Sequence, residues 1–386
     1  MRRTAFRQDR RVSESTLAEA RKPRARTPGQ PPTIVRRRGA CRLLPLILAS
    51  LACFSLTRPV SADFSAHPIC TAADEQSRPA IFGTTVVWRD ERSGHDEVYG
   101  RDLAGGGEFF VSSALLPECG PRIGGQTVVW VDYHVPMTVY RYDLPAGPAT
   151  PVTGGTADPG GAAAIWGQTV VWADNRNWAT SGRDIYGIDL SGGGEFAITT
   201  APGSQDAPAV YGSTVVWHGS PTNAYDTNIL GKNLATSEDL VICTAAGRQS
   251  DPAIWGDWVV WTDDRDEDFS GDIYAYNLVT ETEKVLCSHP SVQSYPAICN
   301  GLVVWQDWRN GSADIYGYDL NADEDVVIYT GPGNQEFPAV SYDPVHGHIV
   351  VWEEDGDIYG TLPEPATLAL VAAGAMLAGA RRRRSR

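Results

Sequence analysis

The chain has 386 residues, of which 42% are hydrophobic, and this length and composition suffice for a large buried core. The net charge of −15 is uneven: the first 62 residues contain 14 basic and 3 acidic residues and the last six contain five arginines, which leaves −31 between them. Such an acidic segment repels polyanions, so the composition excludes a nucleic-acid partner.

The N-terminal region reads as an export segment. Residues 1–34 are rich in Arg, Pro and Ser without apolar periodicity, which predicts a disordered extension or a start codon assigned too early. Residues 35–62 contain a basic stretch, an apolar run over 43–56 and the small residues Val60-Ser61-Ala62. This order is typical of a secretory signal peptide, with cleavage predicted between Ala62 and Asp63.

One tripeptide, Val-Val-Trp, recurs seven times within residues 63–360, at intervals of 42, 42, 45, 44, 44 and 47 residues. Short β-rich runs with turn residues between them fill each interval, and no segment shows a helical period. This pattern predicts an all-β fold, a seven-bladed β-propeller with four-stranded blades. The repeat tryptophans are Trp88, Trp130, Trp172, Trp217, Trp261, Trp305 and Trp352.

The fifth repeat illustrates the predicted blade. Residues 252–254, 258–261, 272–278 and 284–287 read as its four strands, with a turn around Gly256. Because proline cannot donate to a sheet ladder, Pro252 is predicted to be the first residue of the innermost strand.

The two ends of the repeat region are predicted to meet. Residues 69–81 match residues 242–254 at identical offsets, and the latter lead from the outer strand of blade four into blade five. The N-terminal stretch is therefore predicted to supply the outer strand of blade seven, beside residues 357–360. Ile69 would take the buried position of Ile242, and the ring would close without an open edge.

A carboxylate follows most repeat tryptophans at the second position, and an arginine often stands at the fourth. Blade four departs, with His218-Gly219. Together with Asp-Ile-Tyr at 184–186, 272–274 and 314–316, the pattern resembles the TolB-type (WD40-like) propeller repeat over residues 68–360. Four blades contain both charged residues: Asp90 with Arg92, Asp174 with Arg176, Asp263 with Arg265, and Asp307 with Arg309.

These repeated residues admit a structural and a functional interpretation. The Asp-Arg pairs either hold each blade together or form a binding surface, and the tryptophans either pack the sheets or stack on sugars. Recurrence at equivalent sites favours the structural role, since ligand sites are local and asymmetric. No catalytic residue is assigned.

The segment after the signal peptide contains five cysteines, an odd number without a CxxC pair: Cys70, Cys119, Cys243, Cys287 and Cys299. They are predicted to be small buried side chains, with a disulfide framework as the alternative.

One loop has a weak metal-binding pattern. Asp264, Asp266 and Asp268 alternate as in oxygen-rich calcium loops, but the glycine and the glutamate of a complete loop are missing. The default prediction is a solvated acidic loop without a cofactor, and a weak calcium site is the alternative.

Residues 361–386 form a tail with three parts in a fixed order. Pro363-Glu364-Pro365 precedes an apolar run over 366–380, and Arg381, Arg382, Arg383 and Arg384 follow. The tail resembles the PEP-CTERM sorting signal of Gram-negative bacteria, which implies an exosortase-type partner that cleaves near Pro-Glu-Pro. A helix of these 15 apolar residues would span about 22 Å, short for a membrane core. The tail is thus a transient membrane segment or a retained anchor.

The sequence therefore predicts an exported propeller that is located in the periplasm, at the cell surface or outside the cell. Its predicted role is non-catalytic, binding or scaffolding an envelope protein or polysaccharide. The alternative is a metal-dependent polysaccharide lyase or another carbohydrate-active propeller enzyme. The histidines do not recur in a pattern that suggests a metal cluster, and the charge of the central segment disfavours a polyanionic substrate.

Overall fold

A computed structural model describes residues 64–113, 120–220, 226–266 and 270–361, and all regular structure in these ranges is β-strand. The predictions for residues 1–34 and 35–62, including Ala62 and Asp63, fall outside these ranges, as do all tail residues after Thr361. Within the same ranges, no helix has the length and hydrophobicity to cross a membrane.

The strands form seven four-stranded antiparallel sheets, which confirms the predicted seven-bladed propeller. The strands β1–β13 are β1 Ala66–Cys70; β2 Gln76–Phe82, β3 Thr85–Asp90, β4 Glu97–Asp102 and β5 Glu108–Ser112 (blade one); β6 Arg122–Gly124, β7 Thr127–Asp132, β8 Thr138–Asp143 and β9 Thr150–Pro151 (blade two); β10 Pro159–Trp166, β11 Thr169–Asp174, β12 Asp184–Asp189 and β13 Phe196–Thr199 (blade three).

The remaining strands follow the same plan. They are β14 Ser204–Tyr211, β15 Thr214–Ser220, β16 Asn228–Asn233 and β17 Glu238–Cys243 (blade four); β18 Gln249–Trp255, β19 Trp258–Asp263, β20 Asp272–Asn277 and β21 Thr282–Cys287 (blade five); β22 Gln293–Cys299, β23 Leu302–Asp307, β24 Asp314–Asp319 and β25 Glu324–Tyr329 (blade six); β26 Gln335–Asp343, β27 Gly347–Glu354 and β28 Asp357–Thr361 (blade seven).

The first strand completes the last blade. β1 pairs antiparallel with β28, with Ala66 opposite Thr361 and His67 opposite Gly360, so the sheet order is β1-β28-β27-β26. Ile69 is 2% exposed and Ile242 is 6% exposed, as their common position predicts. The inner strands β2 and β26 also contact each other, which confirms ring closure by the N-terminal strand.

The core lies between neighbouring blades. The repeat tryptophans are at most 4% exposed, and the valines before them are fully buried in every blade. Each tryptophan packs with aliphatic side chains of the preceding blade; Trp261, for example, lies with Ile229 and Ile242. Successive side chains of the second strand point to opposite faces of its sheet, so this strand contacts the blades on both sides and holds consecutive blades together.

The prediction for Pro252 is wrong. The inner strand β18 begins three residues earlier, at Gln249, and its register against β19 shifts between Ser250 and Ala253. Asp251 has φ 52° at this bulge. A bulge leaves one residue without a ladder bond, so it accommodates proline inside the strand.

The ring has two faces. The loop face is the end where inner strands begin, at Gln249 for example, and where second strands end, at Asp263. The turn face is the opposite end, where two-residue turns such as 83–84 and 256–257 join the first and second strands. Gly83 and Gly256 have φ 58° and 60°, a conformation that suits glycine in tight hairpins.

Candidate functional site

The predicted Asp-Arg pairs lie on the loop face and form one repeated arrangement with the tryptophan, here called the lock. In blade five, Trp261 Nε1 donates to Asp263 Oδ2 at 2.7 Å. Arg265 donates through Nε to Oδ1 at 3.0 Å and through Nη2 to Oδ2 at 2.7 Å. The carboxylate is 2% exposed and both its oxygens accept charge-assisted bonds.

The same geometry recurs in three more blades. The indole-to-carboxylate distances are 2.8 Å for Trp88 and Asp90, 2.8 Å for Trp172 and Asp174, and 3.0 Å for Trp305 and Asp307. Arg92, Arg176 and Arg309 donate to both oxygens of their aspartates. Burial opposes ionisation of Asp174, but hydrogen bonds from Arg176 and Trp172 outweigh it and lower the pKa of this carboxyl.

A tyrosine completes each lock, a role the sequence reasoning missed. Arg265 lies 3.9 Å from the ring centre of Tyr274, and Arg92, Arg176 and Arg309 stack in the same way on Tyr99, Tyr186 and Tyr316. The Asp-Ile-Tyr motif was the available signal, because its tyrosine lies directly across the ladder from the repeat tryptophan. The side chains of each lock are therefore in contact with one another.

The cysteines take part in packing. Cys70, Cys243, Cys287 and Cys299 are free thiols, and Cys119 falls outside the described ranges. Burial raises the pKa of Cys70 to about 11 and that of Cys299 to about 12. These thiols therefore stay protonated at neutral pH.

Blade four lacks the lock. Gly219 replaces the aspartate, and a Cβ atom there would lie 3.6 Å from Trp217 Nε1. Trp217 is 4% exposed, and its indole N–H has no hydrogen-bond partner among the described residues. The indole donor that is bonded in each of the four locks is thus left without an acceptor in the described part of this blade.

His218 lies in a charged group on the same face. Burial lowers the pKa of this imidazole; the carboxylates of Asp206 and Asp251 oppose the shift, and Arg248 and Arg183 add to it. Arg183 of blade three forms an ion pair with Asp206. This group is local and asymmetric, unlike the locks.

A cleft of about 430 Å³ lies on the loop face where blades seven and one meet, lined by Asp74, Glu75, Glu353, Asp355, Gly356 and Asp357. Burial, together with the charges of Glu336 and Glu75, raises the pKa of Glu353 to about 7, although the Arg78 backbone N–H donates to it. The cleft is acidic, so it disfavours anions.

The inner strands of neighbouring blades contact one another around a central channel, and four aromatic side chains converge at its turn-face end. Phe82, Trp166, Tyr211 and Trp255 each end the inner strand of their blade, and together they are called the aromatic mouth. The ring centre of Trp166 lies 6.1 Å from the ring centre of Phe82, 4.3 Å from that of Tyr211 and 5.1 Å from that of Trp255. Blades three and five are not neighbours, so Trp166 and Trp255 meet inside the ring of inner strands.

The aromatic mouth reaches solvent. All four side chains are half-buried, and the turn residues Gln126, Gln168, Ser213 and Asp257 around them are exposed. The equivalent positions of the other blades are Gly124, Cys299 and Ser341. This surface was missed at the sequence level because the residue before each turn differs from blade to blade.

The predicted calcium loop is only partly described. Asp264 and Asp266 lie within the described ranges and Asp268 does not. Among described residues, no group of three or more His, Cys, Asp or Glu side chains could hold a metal ion. The weak calcium site therefore stays a prediction.

Comparison with known proteins supports the tail and the fold. The PEP-CTERM protein-sorting motif matches residues 361–384, which include Pro363 to Pro365 and the Arg381 to Arg384 cluster. This motif indicates export across the inner membrane, sorting towards the cell surface, a C-terminal membrane segment and recognition by an exosortase-type enzyme. No curated protein matches the chain.

Solved structures with the same fold have different activities. An oligogalacturonate lyase from Vibrio parahaemolyticus has 15% identity and a TM-score of 0.56, covering 77% of this chain and 92% of the lyase. An acylaminoacyl peptidase from Pyrococcus horikoshii has 14% identity and a TM-score of 0.54, and the match covers 77% of this chain and 53% of the peptidase. TolB from Acinetobacter baumannii has 13% identity and a TM-score of 0.44, covering 78% and 79%. At these identities the likeness to the lyase and the peptidase shows the fold alone.

Proposed function

We propose that this protein is an exported propeller, sorted to the cell envelope or surface, that binds a partner there without chemically changing it. The proposal rests on how side chains divide between the two faces. The repeated charged groups of the loop face bond to one another, whereas half-buried aromatic rings meet solvent at the turn face. Aromatic rings at a solvent boundary supply contact area at small entropic cost, which favours ligand binding.

The PEP-CTERM tail supports the proposed location at the cell envelope or surface. If an exosortase-type enzyme processes it, protein released from an exosortase-bearing host lacks the residues after Pro365 and begins at Asp63. Intact-mass measurement of the exported protein tests both ends. A single species that still carries residues 381–386 contradicts processing and favours a retained anchor.

The binding role is tested with the exported protein as bait against solubilised envelope and matrix polysaccharide. We expect capture of a partner and no product release from the same polysaccharides, with or without manganese or calcium. Capture of nothing, or release of oligosaccharide products, contradicts the proposal.

A carbohydrate-active enzyme is the second candidate, and the His218 group favours it. A half-buried imidazole with a lowered pKa, influenced by two carboxylates and two guanidinium groups, has the composition of an acid–base site. The oligogalacturonate lyase from Vibrio parahaemolyticus shares the fold, and so does an oligogalacturonate lyase in complex with manganese. If turnover is found, His218→Ala should abolish it, whereas His67→Ala on the exposed outer strand should not.

A further inference from the structure

We infer that the aromatic mouth binds a neutral saccharide, with a sugar ring packed against the half-buried rings of Trp166 and Trp255. The inference rests on the binding function proposed above and adds the chemical class of its ligand. It is carried by the shape, the hydrogen-bonding groups and the charge of the turn face.

The side chains of the aromatic mouth do more than fill the channel with apolar groups. Leucine or isoleucine would close the channel equally well, yet four blades place an aromatic side chain here. The ring planes of Trp166 and Trp255 lie at 87° to each other, so the two indoles pack edge to face. A sugar ring has a flat C–H face that packs on an aromatic ring and hydroxyl groups that remain at its edge.

The polar atoms of the cluster are available to a ligand. No hydrogen bond within the described part of the chain uses the indole N–H of Trp166 or Trp255, and neither atom is among the buried unpaired ones. Both donors are therefore unpaired within the described residues and not fully buried. Exposed amides of Gln126 and Gln168 lie on the adjoining turns. The exposed Ser213 hydroxyl donates to Asn233 Oδ1 at 3.3 Å and keeps its capacity to accept. Uncharged donors and acceptors around an aromatic platform match sugar hydroxyls.

The charge of this face selects against anions. The turns between first and second strands contain neither lysine nor arginine, and the same holds for the turns at 103–107, 144–149, 190–195, 234–237, 278–281 and 320–323. Asp257 adds a carboxylate, and the His346 ring is bonded to Asp343 at 2.8 Å. The turns themselves therefore offer a uronic-acid chain carboxylates and no cation, which favours a neutral ligand.

Blade three offers a matched pair of tryptophans for the test. Trp166 belongs to the aromatic mouth, and Trp178 is 61% exposed on the loop face of the same blade. A glycan array would be probed with the exported full chain and with its Trp166→Ala, Trp166→Phe and Trp178→Ala variants. The array carries glycans of glucose, mannose, galactose and their N-acetyl amino sugars beside uronic-acid glycans.

We expect capture of a neutral glycan, about tenfold weaker binding by Trp166→Ala, a smaller loss for Trp166→Phe, and wild-type binding by Trp178→Ala. Melting curves show whether each variant is folded, and the Phe variant keeps the test valid if the Ala variant is not. Preference for uronic-acid glycans, or neutral-glycan binding that survives Trp166→Ala and Trp166→Phe, overturns the inference. Capture of an envelope protein but no glycan also overturns it while leaving the proposed binding function intact; capture of nothing overturns both.

Discussion

The two faces of the propeller use their side chains in opposite ways. On the loop face, the same tryptophan, aspartate, arginine and tyrosine recur in four blades and bond to each other. On the turn face, four aromatic side chains of three types, from blades one, three, four and five, form one connected cluster. Periodic residues hold repeats together, and residues that break the period are free to acquire a role in recognition.

Removing a lock carboxylate should be the most damaging change. Asp263→Ala leaves the buried indole N–H of Trp261 without its acceptor and removes one of the two carboxylate partners of Arg265, which keeps its ion pair with Glu283. We expect a loss of about 3–5 kcal/mol in unfolding free energy, measured by urea denaturation. Asp257→Ala, on an exposed turn of the same blade, should change it by less than about 0.5 kcal/mol. Equal effects of the two variants would show that the lock has no special role.

Opening the ring should lower the free energy of unfolding slightly less than removing a lock carboxylate does. Ile69→Asp places a carboxylate at a position that is 2% exposed, between β28 and the core of blade one. We expect a loss of about 3 kcal/mol, and oligomers by edge pairing if β1 detaches. Ser65→Asp, on an exposed residue before β1, is the control. A monomeric Ile69→Asp variant with an unchanged melting transition would contradict closure through this strand.

The missing lock of blade four gives an internal comparison of indole hydrogen bonds. Trp261→Phe removes a donor that is bonded to Asp263, whereas Trp217→Phe removes a donor without a described partner. Both substitutions delete the same atoms, so their difference isolates the bond. We expect Trp261→Phe to be worse by about 1.5 kcal/mol in thermal or urea unfolding. If Trp217→Phe costs as much, the indole of blade four has an acceptor after all.

The acidic cleft should make stability pH-dependent. The pKa of Glu353 is raised from 4.5 to about 7, so the folded state holds a proton that the unfolded state releases. This contribution is complete below about pH 4.5 and is lost as the pH rises through about 7. Melting temperatures of Glu353→Gln and wild type should therefore agree in acid, with the variant more stable above pH 7. Glu324→Gln, exposed on an outer strand, should leave the pH profile unchanged.

Calcium should have the smallest effect. The loop with Asp264, Asp266 and Asp268 lacks residues of a complete site, and stabilisation grows only logarithmically with ligand occupancy. We expect millimolar calcium to add about 1 kcal/mol or less, measured by calorimetric melting with and without chelator. A large shift at micromolar calcium would mean that the loop is a true metal site.

Much of the fold follows from the sequence alone, because the information repeats. A Val-Val-Trp in every blade reports the blade number, and the match of 69–81 to 242–254 reports ring closure. The tail motif is a contiguous signal, so it needs no tertiary structure to be read. Local patterns of this kind specify strands and addresses through alternation and composition.

The tertiary structure decided what the repeat does not encode. The tyrosine of Asp-Ile-Tyr joins the lock only because antiparallel pairing places it opposite the tryptophan. The bulge at Pro252 depends on register against the next strand. Phe82 and Trp255 are far apart in sequence and differ in type, and they share one surface only because the ring closes and brings the ends of the inner strands around one channel. Ring geometry, rather than any local motif, determines which non-repeating residues meet.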